Sequence, residues 1–150
     1  MKNIQIYNMT IKDFYEIKDI LISDFDDFWN LQLLENEIKA ENRKYIVAKL
    51  ENKIVGFAGI MLVKPDIEIM NIVTKKNNRN QGIGSLLLEK IIDIGEKNNF
   101  EKIFLEVNEK NIVARKLYEK YGFIEIGLRP KYYSNVDNAI IMSKSVGNFL

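Results

Sequence analysis

A chain of 150 residues, 47% hydrophobic and 29% charged, reads as one domain over residues 1–150, and its net charge of +1 favours neither nucleic acid nor membrane as a partner. Neither Cys nor His occurs, which excludes disulfides, zinc held by thiolate or imidazole, the Cys–His dyad and the Ser-His-Asp triad; proton transfer falls to carboxylates, tyrosines, lysines or water, and no metal is expected. No apolar run nears the ~18 residues of a membrane span and the N-terminus lacks a signal-peptide profile, so the expected location is cytoplasmic.

Ile4-Gln5-Ile6-Tyr7 alternates and predicts a first strand. Thr10-Ile11-Lys12-Asp13 fits a loose capping pattern, with Asp in place of Glu, and a helix burying Phe14, Ile17, Ile20 and Leu21 should follow. Residues 23–29 read as an acidic, aromatic loop. A second helix is expected over about 30–41, burying Leu33, Leu34 and Ile38. Residues 45–50 and 54–63 read as strands joined by the polar turn Glu51-Asn52-Lys53. Pro65-Asp66 breaks the chain before a strand over 67–74. A glycine turn then leads into a third helix from Leu86, with Leu86, Leu87, Ile91, Ile92 and Ile94 inward, ending near Asn98-Asn99. Residues 102–107 read as a strand with apolar residues on both faces, interrupted by Glu106, the pattern of a covered central strand. A fourth helix over 111–121 closes on Gly122 as a left-handed cap, and strands over 123–128 and 138–144 finish the chain. The order β-αα-βββ-α-β-α-ββ predicts a mixed α/β sheet covered by helices.

Arg79-Asn80-Gln81-Gly82-Ile83-Gly84-Ser85 carries the most information. Two glycines one residue apart, between strand and helix, let consecutive N–H groups converge on one point. With the positive end of the helix they suit an anion such as a pyrophosphate. The alternative is an ordinary loop needing positive φ. A Walker P-loop is excluded because no Gly-Lys-Ser/Thr follows, and G-x-G-x-x-G fails at Leu87. Glu106 shares a strand face with Phe104, while Ile103, Leu105 and Val107 fill the other. Partial desolvation there raises a carboxylate toward the range of a useful general base, unless it reaches solvent or a salt bridge. Glu68, on the strand over 67–74, is a rival. Tyr118 lies at helical spacing beside Leu117 and Tyr121, and Asn111 is most simply an N-cap.

Arg79-x-x-Gly82-x-Gly84 resembles the acetyl-CoA-binding signature of the GNAT N-acetyltransferases, Q/R-x-x-G-x-G/A, and the element order is similar to that family over nearly the whole chain. Three segments resemble its RimI-type branch, the ribosomal-protein alanine N-acetyltransferases. They are Leu105-Glu106-Val107 followed by Asn111, then Leu117-Tyr118-Glu119-Lys120-Tyr121-Gly122-Phe123, then Tyr132-Tyr133 with Ala139-Ile140-Ile141-Met142. The twelve-residue step from Glu106 to Tyr118 is similar to the family's base-to-acid spacing, and Trp29 sits where the branch commonly carries a tryptophan.

The resemblance implies the GNAT fold, a mixed, mostly antiparallel sheet of about seven strands with four helices. It implies acetyl-CoA as acetyl donor and CoA as product. Ile72, Val73 and Thr74 would offer backbone groups to the acetyl-pantetheine arm. Arg79, Asn80, Gln81, Gly82, Ile83, Gly84 and Ser85 would wrap the pyrophosphate, mostly through main-chain N–H groups, and Asn111 would add a cofactor contact. Glu106 would take the proton of the attacking ammonium and Tyr118 would protonate the departing thiolate. Trp29, Tyr132 and Tyr133 would serve the acceptor side. The implied acceptor is a protein N-terminal α-amine, by resemblance the N-terminal alanine of a small-subunit ribosomal protein. The sequence departs from the family at Lys76, where a proline often precedes the signature, and at Asn138, which replaces a common acidic residue.

Two other functions share these residues: acetylation of a small amine such as a polyamine or amino acid, and CoA binding without turnover. Asp24, Asp26 and Asp27 form an acidic cluster expected near the acceptor entrance, where it would attract a basic tail or remain a solvated loop. With no obvious interface stripe among its apolar residues, the protein is expected to be a monomer or a weak homodimer.

Overall fold

The computed structural model describes residues 3–26, 30–133 and 136–147. Its elements are β1 (Ile4–Asn8), α1 (Ile11–Ile17), α2 (Leu31–Lys39), β2 (Arg43–Leu50), β3 (Lys53–Val63), β4 (Asp66–Thr74), α3 (Ile83–Lys97), β5 (Lys102–Asn108), α4 (Ile112–Lys120), β6 (Ile124–Tyr133) and β7 (Asp137–Ser145). A π-helical turn spans Leu21–Phe25 and a 3-10 turn spans Lys76–Asn78. The expected element order holds, and the strands form a seven-stranded sheet in the order β1-β2-β3-β4-β5-β7-β6. β4 pairs β5 in parallel, whereas β1–β2, β2–β3, β5–β7 and β6–β7 are antiparallel. By contact density the chain divides into two compact units, Met1–Leu62 with Met70–Asp93, and Val63–Ile69 with Ile94–Leu150; β4 and α3 contribute residues to both.

In the first unit, α1 begins where its sequence says it should. The Thr10 hydroxyl accepts from the Asp13 N–H at 3.1 Å and the Asp13 carboxylate accepts from the Thr10 N–H at 2.9 Å, a complete capping box. Such a cap is worth about 1 kcal/mol. α1 stops at Ile17, earlier than its apolar stripe suggests. The chain then widens into the π turn, in which the Asp26 N–H reaches the Leu21 carbonyl at 3.1 Å. This turn, and not the expected open loop, lets Leu21 and Phe25 both enter the core, where each is fully buried and Phe25 packs on Phe57 at 5.8 Å between ring centroids. Burial of such side chains stabilises by about 1.5–3 kcal/mol each.

α2 shows a second difference. Its inward stripe is the buried Leu34 with the partly buried Leu31 and Ile38, while Leu33 is 56% exposed. Leu33 lies about 100° from Leu34 around the helix, off the 3–4 spacing that the stripe follows. The β2–β3 hairpin turns on Glu51 (φ 51°) and Asn52 (φ 67°), between the paired Leu50 and Lys53, as the twist of a two-residue loop requires. α3 begins at Ile83, not Leu86, and buries Ile83, Leu87, Leu88, Ile91 and Ile94; Leu86 and Ile92 are only partly covered.

In the second unit, β4 meets β5 through Asp66–Lys102, Ile67–Ile103 and Glu68–Phe104. β5 then runs antiparallel to β7, and β7 to β6. The alternation of β5 is as expected: Ile103, Leu105 and Val107 are buried, Phe104 and Glu106 half-buried. Asn111 caps α4 by accepting from the Ala114 N–H at 3.2 Å, and Gly122 follows the helix at φ 91°. β6 extends to Tyr133, past the expected end at 128, with a register shift between Arg129 and Tyr133 and Lys131 at φ 51°.

Candidate active site

Within the first unit, the segment after β4 has the geometry of an anion cradle. Asn80 (φ 64°) and Gly82 (φ 80°) turn the chain in the left-handed region. The Leu86 N–H reaches the Gly82 carbonyl at 3.1 Å, so Gly82 stands at the helix N-cap position. Ile83, Gly84 and Ser85 therefore supply first-turn N–H groups, which no intrahelical carbonyl satisfies, at the positive end of a 15-residue helix. Gly56 on β3 sets how closely this turn approaches the sheet. A Cβ there would lie 2.8 Å from Ile83 Cγ2 and 2.9 Å from the Val73 carbonyl oxygen. Of the β4 residues implied for the acyl arm, Val73 is buried, and Ile72 and Thr74 are half-buried. The Lys75 N–H, bonded to the Val55 carbonyl at 2.8 Å, ties the end of this strand to β3.

The Arg79 side chain is directed at the π turn. Its Nη2 donates to the Phe25 carbonyl at 3.2 Å and meets Asp26 Oδ1 at 3.4 Å. The acidic cluster is thus differentiated: Asp24 accepts from the Ser23 hydroxyl at 3.0 Å and Asp26 is neutralised by Arg79, while Asp27 lies outside the described residues. Trp29 lies outside them too.

A buried polar group that the sequence reading missed stands beside β4. The Tyr45 hydroxyl, on a side chain 4% exposed, donates to Glu37 Oε2 at 2.7 Å and accepts from Asn71 Nδ2 at 3.4 Å. Burial, and then the Glu37 carboxylate, push this phenol well above the ordinary tyrosine range. Asn71 Oδ1 is buried and accepts no hydrogen bond among the described residues.

Within the second unit, directly opposed residues share a face of the sheet. Glu106, Ile141 and Gly127 form one row across β5, β7 and β6; Asn108, Ala139 and Arg129 form the next. Arg129 reaches back to the carboxylate, with Nη2 2.7 Å from Glu106 Oε1. The Glu106 side chain is 22% exposed, so it is an ion-paired, half-covered group and not a carboxylate desolvated alone. Arg129 also lies over the Tyr132 ring, 4.9 Å from its centroid. Glu68, opposite Phe104, shares the face of Glu106 but is exposed. Tyr118 is half-buried against Phe123, ring centroids 5.9 Å apart.

The β6–β7 hairpin is tied to the turn between β5 and α4. Asp137 accepts from Asn108 Nδ2 at 3.1 Å and pairs with Lys110 at 2.8 Å; the Lys110 hydrogen bond holds its carboxyl below the usual range and raises the lysine in return. The Asn138 N–H donates to the Glu109 carboxylate, and Asn138 Oδ1 accepts from the Lys131 N–H at 2.8 Å. The neutral residue at 138 therefore supports the irregular part of β6. Tyr133 pairs with Asp137 through the ladder, and its side chain lies outside the description.

Ile72, Val73, Thr74 and the segment from Arg79 to Ser85 thus belong to the first unit, and Glu106, Asn111, Tyr118 and Tyr132 to the second. Among the described residues no group of three or more His, Cys, Asp or Glu could hold a metal ion, and no helix is long and apolar enough to cross a membrane.

Residues 12–123 match the model of the acetyltransferase (GNAT) family. A ribosomal protein bS18-alanine N-acetyltransferase of Haemophilus influenzae is 34% identical over 121 residues, covering 77% of this chain and 80% of that protein. A Bacillus subtilis protein provisionally named for the same reaction is 30% identical over 140 residues, 91% of this chain and 92% of its own. The crystal structure of the ribosomal-protein-S18-alanine N-acetyltransferase from Escherichia coli superposes with a TM-score of 0.87 at 26% identity, covering 99% of this chain and 97% of that one.

Proposed function

The chain belongs to the GNAT acetyltransferase family and is an acetyl-CoA-dependent N-acetyltransferase; on that premise we propose that its acceptor is the N-terminal α-amine of a protein, specifically the N-terminal alanine of a small-subunit ribosomal protein. The observation that carries this reading is the breadth of the similarity, which covers 91% of the chain and 92% of a relative named for that reaction.

The roles follow from the chemistry. An α-ammonium must lose a proton before its lone pair can attack a thioester. Glu106 accepts that proton, directly or through water. Attack forms the C–N bond, the nitrogen gives up its second surplus proton to water, the C–S bond breaks, and Tyr118 protonates the departing CoA thiolate, regaining its own proton from solvent. A base and an acid of this kind each contribute roughly 10²- to 10⁴-fold, and holding amine and thioester together contributes further. No covalent enzyme intermediate is needed, in keeping with a chain lacking Cys and His. The first-turn amides of Ile83, Gly84 and Ser85, with the turn from Arg79 to Gly82, hold the pyrophosphate of acetyl-CoA. Ile72, Val73 and Thr74 hold its acyl arm through the main chain, and Asn111 adds a further contact. Trp29, Tyr132 and Tyr133 bind the acceptor. The reaction takes place in the cytoplasm.

The test is to incubate the enzyme with labelled acetyl-CoA and a panel of N-terminal peptides, ribosomal proteins, polyamines and amino acids, and to locate the label by mass spectrometry. Label on the N-terminal alanine of a ribosomal protein is expected. Label confined to free amines would make the protein a small-molecule acetyltransferase, and acetyl-CoA binding with no transfer would make it a sensor.

A further inference from the structure

We infer that Arg129 is a positioning residue for the proton acceptor, fixing the Glu106 carboxylate in one orientation and leaving its second oxygen to the incoming amine. This rests on the reading of Glu106 as the base.

The geometry is specific. Arg129 sits one row beyond Glu106 and two strands away, so its side chain must cross the face of β7 diagonally. It can do so because the β7 residue in its own row is Ala139, and the β6 residue in Glu106's row is Gly127. The side chain thus passes over the small Ala139 and alongside Ile141, the β7 residue in the row of Glu106. The guanidinium is then held from two sides, by the carboxylate at 2.7 Å and by the Tyr132 ring at 4.9 Å. A long arginine confined at both contacts has already lost its rotamer freedom, so the carboxylate it grips is preorganised before the acceptor arrives.

The exposures are asymmetric, 53% for Arg129 and 22% for Glu106. A pair so open to solvent contributes little to folding. Its value lies in aiming the carboxylate, because a base acts only within hydrogen-bond reach of the proton it takes. The contact runs through Nη2 and Oε1, which leaves Oε2 for the ammonium. Glu68 offers a carboxylate on the same face of the sheet, but an exposed one at the neighbouring row.

The test compares Arg129→Gln, Arg129→Lys, Glu106→Gln and the double variant Arg129→Gln/Glu106→Gln, using the best acceptor of the panel above. Arg129→Gln should lower kcat about tenfold, with acceptor KM and acetyl-CoA Kd changed less than about twofold and Tm nearly that of the wild type. Arg129→Lys should recover part of kcat, since it restores the charge without the planar fork. In the Glu106→Gln background, Arg129→Gln should cost nothing more, as non-additivity requires of residues acting through one another. An unchanged or raised kcat in Arg129→Gln, or a lowered acceptor KM, would overturn the inference and make Arg129 a competitor that the ammonium displaces. A further full loss in the double variant would also overturn it. Full activity in Glu106→Gln would instead remove the base assignment itself, whatever Arg129→Gln does.

Discussion

Replacement of Gly56 by Ala tests how the anion cradle is held against the sheet. The added methyl would meet Ile83 Cγ2 at 2.8 Å, the Val73 carbonyl oxygen at 2.9 Å and Leu87 Cδ1 at 3.4 Å. The side-chain carbons can yield by small rotations. The carbonyl cannot, because it belongs to the main chain of β4, so either that strand or the first turn of α3 must move. Overpacking of this kind costs about 1–3 kcal/mol, and the smaller entropy of an unfolded chain with Ala in place of Gly returns about 0.4–1 kcal/mol. The net loss is about 1–2 kcal/mol, a fall in Tm of about 2–8 °C for a domain of this size. Ile83 supplies the first amide of the helix. Its displacement should remove about one hydrogen bond to a bound pyrophosphate, so that acetyl-CoA binds about fivefold more weakly. Calorimetric melting and titration of acetyl-CoA into the Gly56→Ala protein measure both. A Tm and a Kd both equal to those of the wild type would refute the argument that this contact sets the approach of the helix.

Three further outcomes follow from the same geometry. Glu106→Gln should reduce kcat by roughly 10²-fold or more with acetyl-CoA affinity nearly intact; if Glu68→Gln shows that loss in steady-state assays while Glu106→Gln does not, the base role moves to Glu68. Gly82→Val should raise the acetyl-CoA Kd about tenfold, through strain of about 1–2 kcal/mol at φ 80°. A Cβ there meets no protein atom within 4 Å, so packing inside the protein is not the cause, and an unaltered Kd would count against the pyrophosphate assignment. Asp13 provides a pH test. Burial raises its carboxyl, but the hydrogen bonds from Thr10 and Lys49 outweigh that and leave it below the ordinary value. A depressed folded-state value means the stabilisation is fully present above the unfolded value of about 3.9 and fades as pH falls through the folded one. Urea unfolding of wild type against Asp13→Asn should show a difference at pH 7 that shrinks below about pH 4, and a constant difference would refute it.

Features that depend on a few adjacent residues were legible in the sequence. Thr10 and Asp13 cap α1, Asn111 caps α4, Gly122 closes it, and Glu51-Asn52 turns a hairpin, because each acts over no more than four residues. The alternation of β5 located Glu106 on its half-covered face. The misses share a different cause. Leu33 satisfies a loose apolar stripe, and only the position of the core decides that Leu34 is the buried neighbour. The glycines at 82 and 84 read as loop, yet Gly84 is already helical, since glycine tolerates both states. The π turn at Leu21–Phe25 comes from where two apolar side chains must go. The expected strand ends at Leu128, yet β6 runs on through Arg129, Pro130 and Lys131 to Tyr133 with a shifted register. Arg129 with Glu106, and Tyr45 with Glu37 and Asn71, join residues far apart in sequence, and nothing local announces either group.

The commitment of the Arg79 guanidinium to the Phe25 carbonyl and to Asp26 has a consequence for selectivity. With that cation balanced by its aspartate, a diphosphate held in the proposed cradle would be recognised largely through the directions of amide bonds. Attraction of that kind depends on the directions of the N–H groups, so it would discriminate by shape among the many polyanions in solution instead of gathering them all.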